Sequence, residues 1–183
     1  NWDPADMYEE SPTKLGDPAQ DYHLFLSMFN VADNIWIGDV KDSGRHPQNF
    51  RSAWDWRKLD EPIGQYTTGA TYKPDTVSRS NDTVEHRVFL VVESDVPEMG
   101  AVFQLMRDLF SMKLHAVVDT GGKSLHGWFE MPPRQEWVDQ LKAFLIPLGC
   151  DPATFKPSQP VRIPGAKRND KMQSLLWFCK GGK

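Results

Sequence analysis

Arg87-Val88-Phe89-Leu90-Val91-Val92-Glu93-Ser94-Asp95 decides the fold. A near-continuous apolar run of this length reads as a buried strand, and two acids stand where it ends. Residues 97–112 place Val102, Leu105, Met106, Leu109 and Phe110 at helical spacing, with Pro97 suited to a first turn; they predict an amphipathic helix. Residues 115–118 and 125–131 are strand candidates separated only by residues 119–124, which predicts an antiparallel hairpin. Pro132 and Pro133 open a second helix running to Leu148, with Trp137, Leu141, Phe144, Leu145 and Leu148 facing in and Gly149 placed to end it. Residues 161–163 and 174–178 add two strands. This half reads β-α-β-β-α-β plus a strand, a split ferredoxin-like unit of the α+β class.

The first half is less regular. Residues 1–20 are polar, hold Pro4, Pro12 and Pro18, and predict a flexible N-terminal arm. Tyr22, Leu24, Phe25, Met28 and Phe29 recur at three- and four-residue spacing and predict a helix. Ile35-Trp36-Ile37-Gly38 is a short strand candidate, residues 39–48 a loop, and residues 50–56 a short helix or an edge element. Residues 60–82 predict a long irregular excursion or a hairpin. Residues 21–183 are thus expected as one domain, an N-terminal α/β extension over residues 21–86 ahead of the core over residues 87–183.

At 183 residues the chain can bury a self-sufficient core, and its net charge of −4 argues against a plain electrostatic nucleic-acid binder. The charge is uneven. Asp3, Asp6, Glu9, Glu10, Asp17 and Asp21 face Lys14 alone near the start. Beyond Pro152, Lys156, Arg162, Lys167, Arg168, Lys171, Lys180 and Lys183 oppose only Asp170. A basic C-terminal segment suits a local phosphate-binding face. Cys150 and Cys179 cannot make a four-ligand zinc site, so no structural zinc is expected, and a disulfide framework is equally remote. That predicts an intracellular, reducing compartment. No apolar run approaches the ~20 residues of a membrane span. The chain opens on Asn1, which predicts a piece excised from something longer.

Glu93 and Asp95, two apart in a strand, would project to one face. Two carboxylates so close are costly unless compensated, and a divalent cation is the usual compensation; the bland reading is two solvated acids at a strand end. Thr120-Gly121-Gly122-Lys123-Ser124-Leu125-His126 places paired glycines beside a lysine, a serine and a histidine. Gly-Gly lets backbone N–H groups approach an anion, although a tight hairpin turn needs the same residues. The glycine spacing is not that of a Walker loop. Asp151 follows the second helix, as a ligand or as a turn cap. Gln159 and Arg162 sit near a Pro-Gly corner, where an arginine can clamp phosphates bidentately. His115 reads as packed, and no arrangement suggests acyl transfer.

Taken in order, Glu93-Ser94-Asp95, Ser124-Leu125-His126 and Asp151 resemble the motifs of the archaeo-eukaryotic primase superfamily, the primase-polymerases: an acid-x-acid pair, Ser-x-His, and an acid followed by basic residues. Ser158-Gln159-Pro160-Val161-Arg162-Ile163-Pro164-Gly165 is similar to the Arg-x-Pro-Gly segment of such domains in phage and mobile-element replication proteins, and Ile35-Trp36-Ile37-Gly38-Asp39 and Phe50-Arg51 are similar to that group too. The resemblance spans residues 22–178. It implies an RRM-like catalytic core and template-dependent nucleotide addition in DNA replication, in a cytoplasmic bacterial, phage or plasmid setting.

By the same resemblance, Glu93, Asp95 and Asp151 would bind two Mg²⁺ or Mn²⁺ ions. Ser124 and His126 would hold the nucleoside triphosphate, with Gly122, Lys123, Gln159 and Arg162 assisting and His126 counted with the catalytic set. Lys167, Arg168 and Lys171 would meet a single-stranded DNA template and primer, with Trp128 or Trp177 as stacking platforms. A helicase or other replication domain, fused or in trans, is the expected partner. The competing expectation is a non-catalytic module, binding single strands through its sheet or recognising an origin.

Overall fold

The computed structural model describes residues 2–39, 44–94 and 98–183. In chain order the elements are α1 (Pro4–Glu9), α2 (Pro18–Leu26), β1 (Asn34–Trp36), β2 (Phe50–Ser52), α3 (Ala53–Trp56), β3 (Tyr66–Thr67), β4 (Ala70–Tyr72) and β5 (Val84–Arg87). Then come β6 (Phe89–Ser94), α4 (Met99–Asp108), β7 (Leu114–Asp119), β8 (Leu125–Glu130), α5 (Gln135–Leu145), β9 (Val161–Arg162), β10 (Lys167–Arg168), β11 (Lys171–Met172) and β12 (Ser174–Phe178).

The central sheet has the order β12-β7-β8-β6 and every neighbour is antiparallel. β6 and β7 therefore run parallel, with β8 between them and α4 in the connection. The last strand departs from expectation. Residues 161–163 do not join this sheet: β9 pairs instead with β3, Tyr66 opposite Arg162 and Thr67 opposite Val161. After α5 the chain passes β6 with the Asp151 N–H donating to the Glu93 carbonyl at 2.7 Å. It then carries β9 to β11 before β12 closes the sheet at the β7 edge. Pro152, which starts a short 3₁₀ turn over Pro152–Phe155, has no N–H to continue a ladder.

Strand alternation divides the core in two. Phe89 and Val91 of β6, Ala116 and Val118 of β7, Trp128 of β8 and Leu175 of β12 pack with Tyr22, Phe25 and Leu26 of α2. Phe25 meets Trp128 edge to face, ring centroids 4.8 Å apart, a geometry worth ~0.5–1.5 kcal/mol beyond the area it buries. On the opposite face Leu90, Val92, Val117 and Phe129 pack with Met99, Val102, Phe103 and Met106 of α4 and with Val138, Leu141 and Leu145 of α5. Gly127 makes that approach possible, since a Cβ there would stand 2.6 Å from the Phe103 ring.

Most of residues 2–20 are exposed, but Asp3 caps α1, and Trp2 and Met7 are buried with the α4–α5 core. Trp2 stands edge-on to Trp177 at 6.2 Å. The two long helices are shorter than periodicity suggests, and Leu109, Phe110, Trp137, Phe144 and Leu148 are exposed rather than inward. Ser111, with φ of +52°, breaks the chain just beyond α4. The expected start at Pro97 lies outside the described residues.

Candidate functional site

Glu93 is the fifth residue of β6, so alternation from Phe89 and Val91 points it to the α2 face of the sheet. Register places it directly opposite His126 of β8. The two side chains meet, with Nε2 of His126 3.1 Å from a Glu93 carboxylate oxygen. From the other side the Arg162 backbone N–H donates to Nδ1 of His126 at 3.3 Å. An accepting Nδ1 leaves the ring proton on Nε2, where it is donated to Glu93. The imidazole is 2 % exposed, so its orientation is fixed by these two partners and not by solvent.

Around this pair opens a cleft of about 590 Å³, lined by Tyr66, Gly121, Gly122, Lys123, Ser124, Val161, Arg162, Arg168 and Asn169 among others. The β7–β8 turn supplies one wall. Gly121 has φ of +67°, a left-handed conformation that favours glycine, and its N–H takes the Asp119 carboxylate at 2.8 Å. A Cβ on Gly122 would meet only the tip of the Arg168 side chain of β10, which lies against the turn. Ser124 is buried and its hydroxyl lies 3.3 Å from that of Thr120.

Electrostatics favour a carboxylate at Glu93. Burial pushes its pKa up, but hydrogen bonds from His126 and Ser124 and the nearby Arg162 charge outweigh it, leaving Glu93 below its ordinary value. Arg162 is shifted down by burial, opposed by Tyr66, Glu93 and Asp39 and reinforced by Arg168. It stays a cation. Its guanidinium lies over the Tyr66 ring, 4.2 Å from the centroid.

Glu93, Gly122, Lys123, Ser124, His126 and Arg162 all line this one cleft, and so does Arg168, from the group assigned to nucleic acid. Lys167 and Lys171 are exposed on the β10–β11 hairpin. Gln159 is half-buried and does not line the cleft. Asp151 is exposed, and its carboxylate accepts from the Ala153 N–H at 2.8 Å, the cap role. Asp95 lies outside the described residues. Among the described residues no three His, Cys, Asp or Glu side chains gather closely enough to hold a metal ion. Trp128 and Trp177 cannot serve as platforms, because both are buried in the core. No helix among the described residues is long and apolar enough to cross a membrane.

Sequence reading missed Tyr66, Gln65 and Gln173. Tyr66 comes from an irregular stretch with no periodicity, and a buried glutamine leaves no pattern to read.

No protein-family model matches this chain, and no curated protein matches it. Among solved structures it is similar to the polymerase domain from Mycobacterium tuberculosis ligase D in complex with DNA, at a TM-score of 0.47 and 12% identity, over 90% of this chain and 76% of that one. A likeness of that degree leaves function to be argued from the residues themselves.

Proposed function

We propose that the cleft is the nucleoside triphosphate site of a template-dependent nucleotidyl transferase, a DNA primase-polymerase. One observation carries the reading: buried His126 is held between Glu93 and the Arg162 backbone, on the wall of a cleft with three cationic side chains, Lys123, Arg162 and Arg168, against one carboxylate. A surplus of cations beside a glycine turn suits a polyphosphate. An acid fixed by a histidine suits chemistry at its α-phosphorus. In the reaction a primer 3′-oxygen would form a bond to that phosphorus as the bond to the bridging oxygen breaks, and pyrophosphate leaves with its electron pair.

Glu93, Asp95 and Asp151 are the residues that would hold Mg²⁺ or Mn²⁺. Their donors are carboxylate oxygens, the ligands hard divalent cations take, and the backbone bond from Asp151 to Glu93 sets those two acids on adjoining segments. For this the Asp151 carboxylate would leave its cap on Ala153. Bound there, such an ion would supply positive charge against the triphosphate and lower the pKa of the attacking hydroxyl. The chain's own part is orientation. Lys123 and Arg168 would hold the outer phosphates, Arg162 would clamp them from the Tyr66 side, and His126 would keep Glu93 ionised and aimed. The exposed Lys167 and Lys171 would track a single-stranded DNA template and its primer, and a helicase or other replication domain would deliver that strand.

The competing reading, a single-strand binder working through its sheet, would need an open sheet face carrying aromatics. Both faces of the β12-β7-β8-β6 sheet are covered instead, one by α2 and the other by α4 and α5.

The test is nucleotide incorporation on primed and unprimed single-stranded DNA with Mg²⁺ or Mn²⁺. The wild type should extend the primer, and a folded Glu93→Ala/Asp95→Ala variant should not. Products without a primer would make it a primase. A folded wild type that adds nothing with either metal, on any template, defeats the proposal.

A further inference from the structure

We infer that Gln173, at the junction of β11 and β12, is a positioning residue that aims the Arg162 guanidinium into the cleft; its use for nucleotide rests on the reading above. Gln173 is wholly buried. Its side-chain amide nitrogen donates to the Gln65 carbonyl at 3.0 Å and to the Ile163 carbonyl at 2.7 Å. Carbonyls accept and cannot donate, so the amide has one orientation, and its oxygen is turned to Arg162, whose Nη1 donates to it at 3.3 Å. The Gln65 side-chain oxygen accepts from the same Nη1.

Gln173 is itself immobilised by its backbone: its N–H donates to the Ala166 carbonyl at 2.8 Å, and its carbonyl accepts from Gly165 at 2.8 Å. Arg162 is therefore gripped at one nitrogen by two glutamines and along one plane by the Tyr66 ring. An anion in the cleft would take the fork presented by its Nη2 and Nε edges. A guanidinium already fixed surrenders little rotamer freedom when it binds.

The test has two arms on the intact chain, with Gln173→Leu and, should that variant fail to fold, Gln65→Met, which removes one acceptor and keeps the backbone carbonyl. In the first arm, ¹⁵N NMR of the Arg162 side chain should show slow rotation about Cζ–Nε in the wild type and averaged Nη signals in the variants. Unchanged slow rotation in the folded variants overturns the inference. In the second, calorimetric titration with inorganic tripolyphosphate should show binding about tenfold weaker in the variants, the scale of one charge-assisted hydrogen bond, with no further loss in an Arg162→Ala background. Equal losses in both backgrounds would mean a general structural role and overturn it too. A wild type that takes up no tripolyphosphate defeats the nucleotide reading of the cleft, while the NMR arm still decides whether Gln173 holds Arg162.

Discussion

The groove between the ends of α4 and α5 encloses about 900 Å³, against about 590 Å³ for the cleft around His126. Its walls are Leu109, Phe110, Met112, Met131, Trp137 and Phe144, with Phe110 and Phe144 edge to face at 5.3 Å. Lys113 and Glu130 at its rim satisfy each other at 3.5 Å. The cleft is smaller and built the other way round: polar side chains hold one cation, Arg162, and one carboxylate, Glu93, in fixed directions. Chemistry follows convergence of polar groups on one point, and volume alone is a poor guide to it.

Substitutions can break that comparison or sharpen it. Arg162→Ala should weaken nucleotide binding by about 10- to 100-fold, the cost of losing charge-assisted bonds. Arg162→Lys should recover only part, because an ammonium lacks the fork. Calorimetry with a deoxynucleoside triphosphate reads both, and full recovery by lysine would reduce the site to a point charge.

Gly127→Ala acts on the opposite face of the same strand that carries His126. The added methyl meets the Phe103 ring, and overpacking of this kind costs about 1–3 kcal/mol. Urea unfolding should show that loss, with nucleotide affinity unchanged where the variant is folded. A fall in affinity would mean the two faces are coupled.

Asp21 tests the cost of burying charge on the cleft's side of the sheet. It accepts from the Leu175 N–H at 2.8 Å, and burial, with Asp17 adding to it, raises its pKa from 3.8 to about 6 despite that bond. The folded state thus holds a proton that the unfolded state releases between those values, so stability falls as pH rises from about 4 to about 6. Asp21→Asn should stabilise the protein at pH 7 by ~1–2 kcal/mol after allowance for screening, and the gain should vanish below pH 4. Thermal melts across that range check it; a pH-independent gain would point to packing rather than charge.

The smallest effect belongs to the groove. Trp137 is 46% exposed, and Trp137→Ala should change stability by no more than about 0.5 kcal/mol and leave nucleotide incorporation untouched. A lost polymerase activity there would mean that the apolar groove takes part after all.

β6, α4 and α5 were legible because the strand is a near-continuous apolar run and the two helices are periodic. Glu93 meets His126 because strand register, once β6 and β8 pair, leaves them no other place. Periodicity names the residues that share a helix face and is silent on whether that face is covered, which is why Trp137 and Phe144 were expected inside. Trp2 and Met7 err in the opposite sense: the stretch reads as unanchored, and these two buried side chains tie it to the core. The β3–β9 pair holds only two residues on each side, too short for any repeat to show. Asp151 was readable as either ligand or cap, and the local Asp-Pro turn displays the cap.

That two-residue ladder has a consequence for how the molecule folds and breathes. Arg162 and Gln65 are 97 positions apart, and Gln173 reaches Gln65 across 108. Ends so distant are costly to bring together before the intervening sheet has condensed, and only two residues on each side hold them. The same ladder is then the natural place for sub-global opening. The Ile163 amide, bonded to the Gln65 carbonyl at 3.2 Å, should exchange with solvent well before the amides of β7 and β8. Exchange of that amide ahead of the sheet would mean that the site opens while the rest of the protein stays folded.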